Sequence, residues 1–418
     1  MSILKTEDEF DRLQDAWTAL VERSGCTIFQ TFEWQRAWWK YFGKGRRLNI
    51  IVIEREGRVI GIAPMIRERV GFFGIKIMSA LKFAGSDISD YIDVIAEPDD
   101  LPEILKYLVE YIKSTEKTWD FFEMRDVSER YQTRDLLRRY LEEAGLKVFT
   151  YKGNVCPEVQ LPATWENFLL HISGNVRYQL KKKSDRLKKA FPVELELIKD
   201  GDDAVENAVR EFASIHGARW EGLGYKNAFK DANHLAFHVE VAQMFARRGW
   251  LRMFFLKVGR SRVAVNFDFN FHDRIYFYQG NANGSEEVMK YSPGFLLRCA
   301  AIEEGIAEGM KTYDMLRGDE IYKTNDFKCV PVGNWQIRAV PEGKLKQLKF
   351  HLFILYELLG RGTKRLVREY QDMRRYSMDK NPSVVSVLTY SGRRILDLLK
   401  DGRYFLSRFL WRGKRESH

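Results

Sequence analysis

A cluster of reactive side chains falls within residues 314–323: Asp314, Arg317, Gly318, Asp319, Glu320, Tyr322 and Lys323. It begins at the C-terminal end of a strand-like run, Thr312 to Leu316, where α/β folds usually place ligands. Carboxylates beside a phenol and two cations could supply a base, a proton donor and an anchor for an anion. A charged, glycine-containing stretch after an apolar strand is more often a solvated loop. A second motif precedes it, Lys290-Tyr291-Ser292-Pro293-Gly294-Phe295. Ser292 suits a helix N-cap, Pro293 suits the first helical position, and Gly294 leaves the backbone open to close approach. The N–H groups there, the helix dipole and Lys290 together favour an anion; an ordinary capped helix is the plain alternative. In the first half the matching helix follows Asp99 and Asp100, which would repel a phosphate. If one half binds a phosphorylated ligand, it is therefore expected to be the second.

Other positions are weaker. Asp268 shares a strand face with Asn266 and Asn270; it could touch an acceptor, but an exposed strand face is the first reading. Tyr276, Tyr278 and Gln279 form an aromatic strand. His216 stands at helical spacing from Phe212 and close to Arg219 and Trp220, a pattern that more often means core packing. The run Arg177, Lys181, Lys182, Lys183, Arg186, Lys188, Lys189 is either a solvated helix face or a contact for an anionic substrate, tRNA or lipid. Its poor aromatic interleaving argues against a nucleic-acid reader. A Walker loop, a Gly-x-Gly-x-x-Gly between strand and helix, His-Glu-x-x-His and Gly-x-Ser-x-Gly are all missing. That disfavours a P-loop ATPase, a typical dehydrogenase, a zincin and an α/β-hydrolase.

The elements that must position these residues recur. Helical spacing of Phe10, Leu13, Trp17 and Leu20 predicts one helix, and Trp34, Trp38 and Trp39 mark a second. Strands are predicted at Leu48–Ile53 and Val59–Ile66, joined at Glu56-Gly57, then at Tyr91–Ile95. A helix through Leu101, Leu105, Leu108 and Ile112 leads to a strand at Trp119–Met124. The second half repeats this order. Helices carrying Phe212–Trp220 and His234–Arg247 precede strands at Leu251–Val258, Val263–Phe269 and Arg274–Gln279. A helix through Phe295, Cys299, Ile302 and Ile306 precedes the strand at Thr312–Leu316. Arg58-Val59 aligns with Arg262-Val263, and Trp119-Asp120 with Tyr313-Asp314, an internal repeat of about 200 residues. The expected class is α/β with mixed (α+β) sheets.

The chain has 418 residues, 45% hydrophobic and 14% aromatic, enough for sizeable cores. Its net charge of +10 is uneven. Residues 341–418 hold 18 Lys/Arg and 8 Asp/Glu, leaving residues 1–340 balanced at 50 against 50. In this extension Leu345, Leu348, Leu352 and Leu355 recur beside Lys344, Lys346 and Lys349, and basic amphipathic sequence continues to Trp411. It is expected to be helical, either packed on the body or lying on an anionic membrane. Cys26, Cys156, Cys299 and Cys329 are scattered, so neither a zinc site nor a disulfide framework is expected, and no metal. The N-terminus lacks a signal-peptide pattern, and no 18-residue apolar run is present. A cytoplasmic setting is expected, with peripheral contact at the inner membrane face as an added possibility.

From about Phe212 to Phe327 the chain resembles the CelD-like, cellulose-biosynthesis-associated branch of the GNAT acyltransferases, related to FemAB-type tandem-GNAT transferases. The resembling residues are His216, Arg219-Trp220, Gly249-Trp250-Leu251, Ser292-Pro293-Gly294, Leu316 to Glu320, and Tyr322-Lys323. Phe29 to Trp34 and Gly85 to Tyr91 extend the likeness to the first half, so that it covers about 25–335. It implies tandem GNAT-like units, 1–155 and 156–340, followed by the basic extension 341–418. It also implies acyl transfer from acyl-CoA to an amine or hydroxyl of a sugar, amino compound or envelope precursor. Acyl transfer needs a base, a donor to the carbonyl oxygen and an acid for the departing thiolate. Tyr322 is the candidate acid; Asp319, Glu320 and His216 are the other catalytic candidates. Lys290, Ser292, Gly294 and Phe295 are expected at the cofactor, and Arg219, Trp220, Asp268, Tyr278, Arg317 and Lys323 at the substrate. The alternatives are a FemAB-like transfer from aminoacyl-tRNA and a non-catalytic scaffold in polysaccharide assembly.

Overall fold

Thr6 starts the first helix with a capping box: its hydroxyl accepts from the Glu9 N–H, and the Glu9 carboxylate accepts from the Thr6 N–H. The single helix expected through Phe10 and Trp17 is two, because Leu13 ends one and begins the next. The computed structural model describes residues 1–72, 74–222, 227–318, 323 and 326–359, with residues 219, 220 and 222 in backbone alone. The chain divides into two units, Met1–Gln347 and Leu348–His418.

The first half of the larger unit runs β1 (Ser2–Leu4), α1 (Glu7–Arg12), α2 (Gln14–Ser24), α3 (Phe32–Phe42), β2 (Arg46–Leu48), β3 (Ile50–Arg55), β4 (Arg58–Ala63), β5 (Met65–Phe72), β6 (Ile75–Phe83), β7 (Ile95–Ala96), α4 (Leu101–Ser114), β8 (Phe121–Ser128), α5 (Thr133–Glu143) and β9 (Lys147–Gln160). The second half runs α6 (Trp165–His171), α7 (Gly174–Ala190), β10 (Val193–Ile198), α8 (Asp202–Gly222), α9 (Ala232–Arg247), β11 (Leu251–Val258), β12 (Ser261–Phe271), β13 (Arg274–Ala282), α10 (Glu286–Met289), α11 (Pro293–Ala307), β14 (Thr312–Asp314) and β15 (Val330–Val340). Glu56 and Gly57, at φ 53° and 75°, turn the β3–β4 hairpin as expected of a type I′ turn. The strand expected at Tyr91–Ile95 is absent except for Ile95–Ala96. This stretch is buried, and its polar groups bond elsewhere: the Ile92 N–H to the Asp126 carbonyl, and the Val94 N–H to the Asp93 carboxylate.

Two sheets form. One is β1-β3-β4-β7; the other has eleven strands in the order β10-β11-β12-β13-β14-β9-β15-β8-β6-β5-β2. β9 of the first half lies between β14 and β15 of the second, and β15 lies between β9 and β8. The halves are therefore interlocked, and the division expected at 155/156 falls inside β9. An aromatic core spans both halves. Trp34 is fully buried and meets Phe29, Phe237, Phe245, Phe269 and Tyr278.

The β15–β8 seam contains a buried ion pair. Glu123 on β8 is 2% exposed and accepts from Arg338 Nε on β15 at 2.6 Å, while Arg125 and Lys82 also face it. Burial alone would raise this carboxyl, but the cations win and hold it at about 2. Its contribution to stability is complete above the unfolded value near 4.5 and is lost as pH falls towards 2. Glu123→Gln strips the counter-charge from buried Arg338 and is expected to cost about 3 kcal/mol in urea unfolding at neutral pH. The difference from wild type should shrink as pH falls from 4.5 towards 2. A difference that does not change with pH would mean the ion pair is not its source.

Residues 344–359 are helical, and Lys346 Nζ donates to the Glu116 and Trp119 carbonyls at 2.6 and 2.7 Å. The rest of the extension, from 360, lies outside the described residues.

Candidate active site

β13 and β14 pair in parallel for three residues only, Arg274 with Thr312, Ile275 with Tyr313 and Tyr276 with Asp314. Beyond that point the chain after Asp314 follows β9 instead: the Met315 N–H donates to the Pro157 carbonyl and the Gly318 N–H to the Val155 carbonyl. Among the described residues, no ladder bond links Phe277–Ala282 to this departing segment. The strands part as a V. A bulge marks the same place: Phe267 faces Gln279 while Asp268 faces Phe277, leaving Tyr278 as the additional residue.

Asp314 makes the parting sharp. It is fully buried, accepts the Tyr91 hydroxyl at 2.8 Å on one oxygen and the Leu316 N–H at 2.9 Å on the other. The second bond closes a turn with Leu316 at φ 54°, which swings Arg317 away from the β13 edge. Arg274 bridges Asp314 (3.2 Å) and Glu158 on β9 (2.7 Å), and Arg130 also pairs with Glu158. Burial, reinforced by Glu158, raises the Asp314 carboxyl to about 7 against the pull of Arg274. Arg317 meets Asp90 at 2.7 Å and Asp126 at 3.9 Å, both from the first half. Burial raises Asp126 to about 7 against the charge of Arg317.

Tyr278 lies near Arg317 and Asp90 at this opening. His238 Nδ1 is 2.6 Å from the His234 carbonyl, so it is protonated there and donates. Its Nε2 then accepts the Tyr278 hydroxyl at 3.0 Å. Burial pushes His238 down to about 3, so this ring stays neutral at physiological pH.

The start of α11 is the other feature. Ser292 holds the expected N-cap position, but at φ 54° its side chain makes no cap bond. Its hydroxyl accepts Lys183 Nζ of α7 at 2.7 Å instead. The left-handed backbone turns the hydroxyl from the helix towards this lysine. The Gly294 N–H has no protein acceptor among the described residues, and a Cβ there would meet only Ala282 at 3.5 Å. Phe295 stacks on Phe327 at 6.1 Å, with Lys183 Nζ 6.0 Å from its ring. Lys290 lies over the Tyr291 ring. The Phe295 and Leu296 N–H groups are taken by the Ser292 carbonyl, so the open Gly294 N–H, the helix N-terminus and the nearby lysine are what suit a phosphate group.

The remaining sequence candidates are dispersed. Lys323 is buried and donates to the Arg317 carbonyl at 2.6 Å. His216 is half-buried between the Phe212 and Phe229 rings. Asp268 is not on an exposed face: it is fully buried beneath α11 and accepts the Tyr313 hydroxyl at 3.2 Å. Packing of α11 against β11, β12 and β13 covers that strand face. Asp319, Glu320 and Tyr322 lie outside the described residues, as do the side chains of Arg219 and Trp220. Sequence reasoning missed Asp90, Asp126, His238 and the Lys183–Ser292 contact, and left Tyr91 and Asp314 without a role. The clue for the first half was the stretch Gly85 to Tyr91, which entered only as a likeness and gave Asp90 no role. All four cysteines are free. Among the described residues, no group of three or more His, Cys, Asp and Glu could hold a metal, and no helix is long and apolar enough to cross a membrane.

Residues 174–324 match the family model described as an acetyltransferase (GNAT) domain. The fold of FemX is similar with a TM-score of 0.58 at 11% identity, covering 83% of this chain and 99% of that one. A conserved protein of unknown function from Bacteroides thetaiotaomicron VPI-5482 is similar at 0.53 and 14% identity, covering 81% and 100%. The C-terminal domain (DUF2156) of a putative lysylphosphatidylglycerol synthetase from Agrobacterium fabrum is similar at 0.50 and 11% identity, covering 82% and 96%. No curated protein matches. The chain thus has a mixed α/β fold with a GNAT-type sheet core.

Proposed function

We propose that this chain is an acyltransferase of the CelD-like branch, moving an acyl group from acyl-CoA to an amine or hydroxyl of a sugar, amino compound or envelope precursor. On this reading it comprises GNAT-like units 1–155 and 156–340 and the extension 341–418, with the second unit active. The observation that carries it is the parting of β13 and β14 beside an α11 start furnished with Lys183, Ser292 and the open Gly294. These residues fit CoA: the Gly294 N–H and Lys183 would hold its phosphates, and when bound it supplies an activated thioester. β13 N–H groups freed of ladder partners at the V would orient the acyl carbonyl. Asp90, Asp126 and Tyr278, gathered around Arg317, are the groups proposed to meet the acceptor.

The departing thiolate needs a proton, and Tyr322 is proposed to give it. Tyr322→Phe keeps the ring and removes only that proton; turnover is expected to fall by about 100-fold with the melting temperature unchanged. Thiol release from acetyl-CoA against an acceptor panel measures this. Wild-type turnover would remove Tyr322 from the mechanism, leaving Asp319 and Glu320 as base candidates to be tested alike.

A second reading, transfer from aminoacyl-tRNA, is favoured by the exposed basic face of α7, with Lys181, Arg186, Lys188 and Lys189. Thermal stabilisation by acyl-CoA supports the first reading, selective binding of charged tRNA the second, and response to neither a scaffold.

A further inference from the structure

The helix over 344–359 has two apolar faces. Phe350, Phe353 and Ile354 are buried on one side. On the opposite side Leu345, Leu348, Leu352, Leu355 and Leu359 recur at alternating three- and four-residue spacing, and they are 66%, 56%, 47%, 47% and 62% exposed. Five exposed leucines in one stripe form a continuous apolar surface in water, which marks an interaction site.

The residues flanking the stripe indicate its occupant. At 100° per residue, Lys344 lies along one edge with His351, and Lys349 along the other. Glu357, the acidic residue of the helix, projects on the buried side. In a coiled coil the leucines would hold the two core positions, and the lysines would sit at the adjoining charged positions. A second copy would then set lysine against lysine. Residues 360–418 carry 15 Lys/Arg and 6 Asp/Glu, so charge does not draw the remaining chain to this face either. An apolar stripe edged by lysines instead matches the interface of an anionic bilayer, where leucines enter the acyl region and lysine stems reach back to the phosphates. The helix is not long and apolar enough to cross the membrane.

We propose that the leucine stripe of helix 344–359 is a docking surface for an anionic lipid membrane, holding the protein in the plane of the interface. The test is co-sedimentation of the full chain with vesicles of equimolar phosphatidylcholine and phosphatidylglycerol, and with phosphatidylcholine alone. Sedimentation is expected with the anionic vesicles only, weakening with salt. L348E/L352E should lower the partition coefficient at least ~10-fold, because two charges would enter the apolar region. K344E/K349E, which leaves the leucines intact, should lower it by a similar factor for anionic vesicles. Circular dichroism and the melting temperature should be unchanged in both. Wild-type sedimentation of L348E/L352E would overturn the proposal. So would conversion of a dimer to a monomer in that variant by light scattering, which would assign the stripe to a second copy. A fall in melting temperature with sedimentation intact would assign it to the chain itself, and would equally overturn the lipid reading.

Discussion

Aspartate at position 294 is expected to weaken CoA binding at least ~100-fold in calorimetry, with the fold preserved. The site tolerates the side chain sterically. A Cβ at Gly294 meets Ala282 at 3.5 Å, an ordinary contact, and the backbone there is helical. Negative charge in the first turn also favours the helix itself. The loss is confined to the ligand: the new carboxylate stands beside the one open N–H that would receive phosphate, and repels it. Gly294→Ala adds the carbon without the charge and should keep affinity within a few-fold. Lys183→Ala should cost about tenfold, since it removes the cation held on Ser292 at 2.7 Å. Unchanged affinity in folded Gly294→Asp would place CoA elsewhere.

Stability should depend on Asp268 with the opposite pH sense to Glu123. Burial raises the Asp268 carboxyl to about 8, outweighing the Tyr313 hydrogen bond and the nearby Arg252 and Arg298. In the unfolded chain it titrates near 3.8. A group protonated in the folded state and ionised in the unfolded state stabilises fully below pH 4. That contribution declines as pH rises towards 8, by up to about 1.4 kcal/mol per pH unit. Asp268→Asn, neutral at every pH, should flatten this dependence and be the more stable variant at pH 8. Its Oδ1 retains the acceptor place opposite Tyr313, and the unpartnered Asp268 oxygen shows that no ion pair is forfeited. Parallel urea unfolding of both proteins from pH 5 to pH 8 checks this. Identical slopes would mean that Asp268 is ionised in the folded protein.

Local pattern alone determined much of this molecule. The bounds of β11 match the expected Leu251–Val258, and α4, α9, the Glu56-Gly57 hairpin and the α11 start at Pro293 were all legible. Periodicity, turn chemistry and proline position act over a few residues, so they can be read without knowing what lies across from them. The order of elements was legible only in part: the strand expected at Tyr91–Ile95 is reduced to Ile95–Ala96, and β6, α5 and β10 were not among the expected elements. The fold's GNAT-type character followed from motif residues around Ser292-Pro293-Gly294 and Leu316-Arg317-Gly318.

Tertiary structure alone decided which of these residues meet. β15 enters between β8 and β9 through pairings of more than 170 residues' separation, such as Val340 with Lys147; strand alternation specifies a face, not a partner. Asp268 has the same local signature as an exposed strand residue, and only the seating of α11 buried it. Ser292 has the composition of a cap, yet Lys183, 109 positions earlier, claims its hydroxyl. Asp90 and Asp126 reach Arg317 from the other half of the chain across the interlocked sheet. Chemistry at a site depends on distances of a few ångströms between groups far apart in sequence, and those distances are set by packing, burial and strand order.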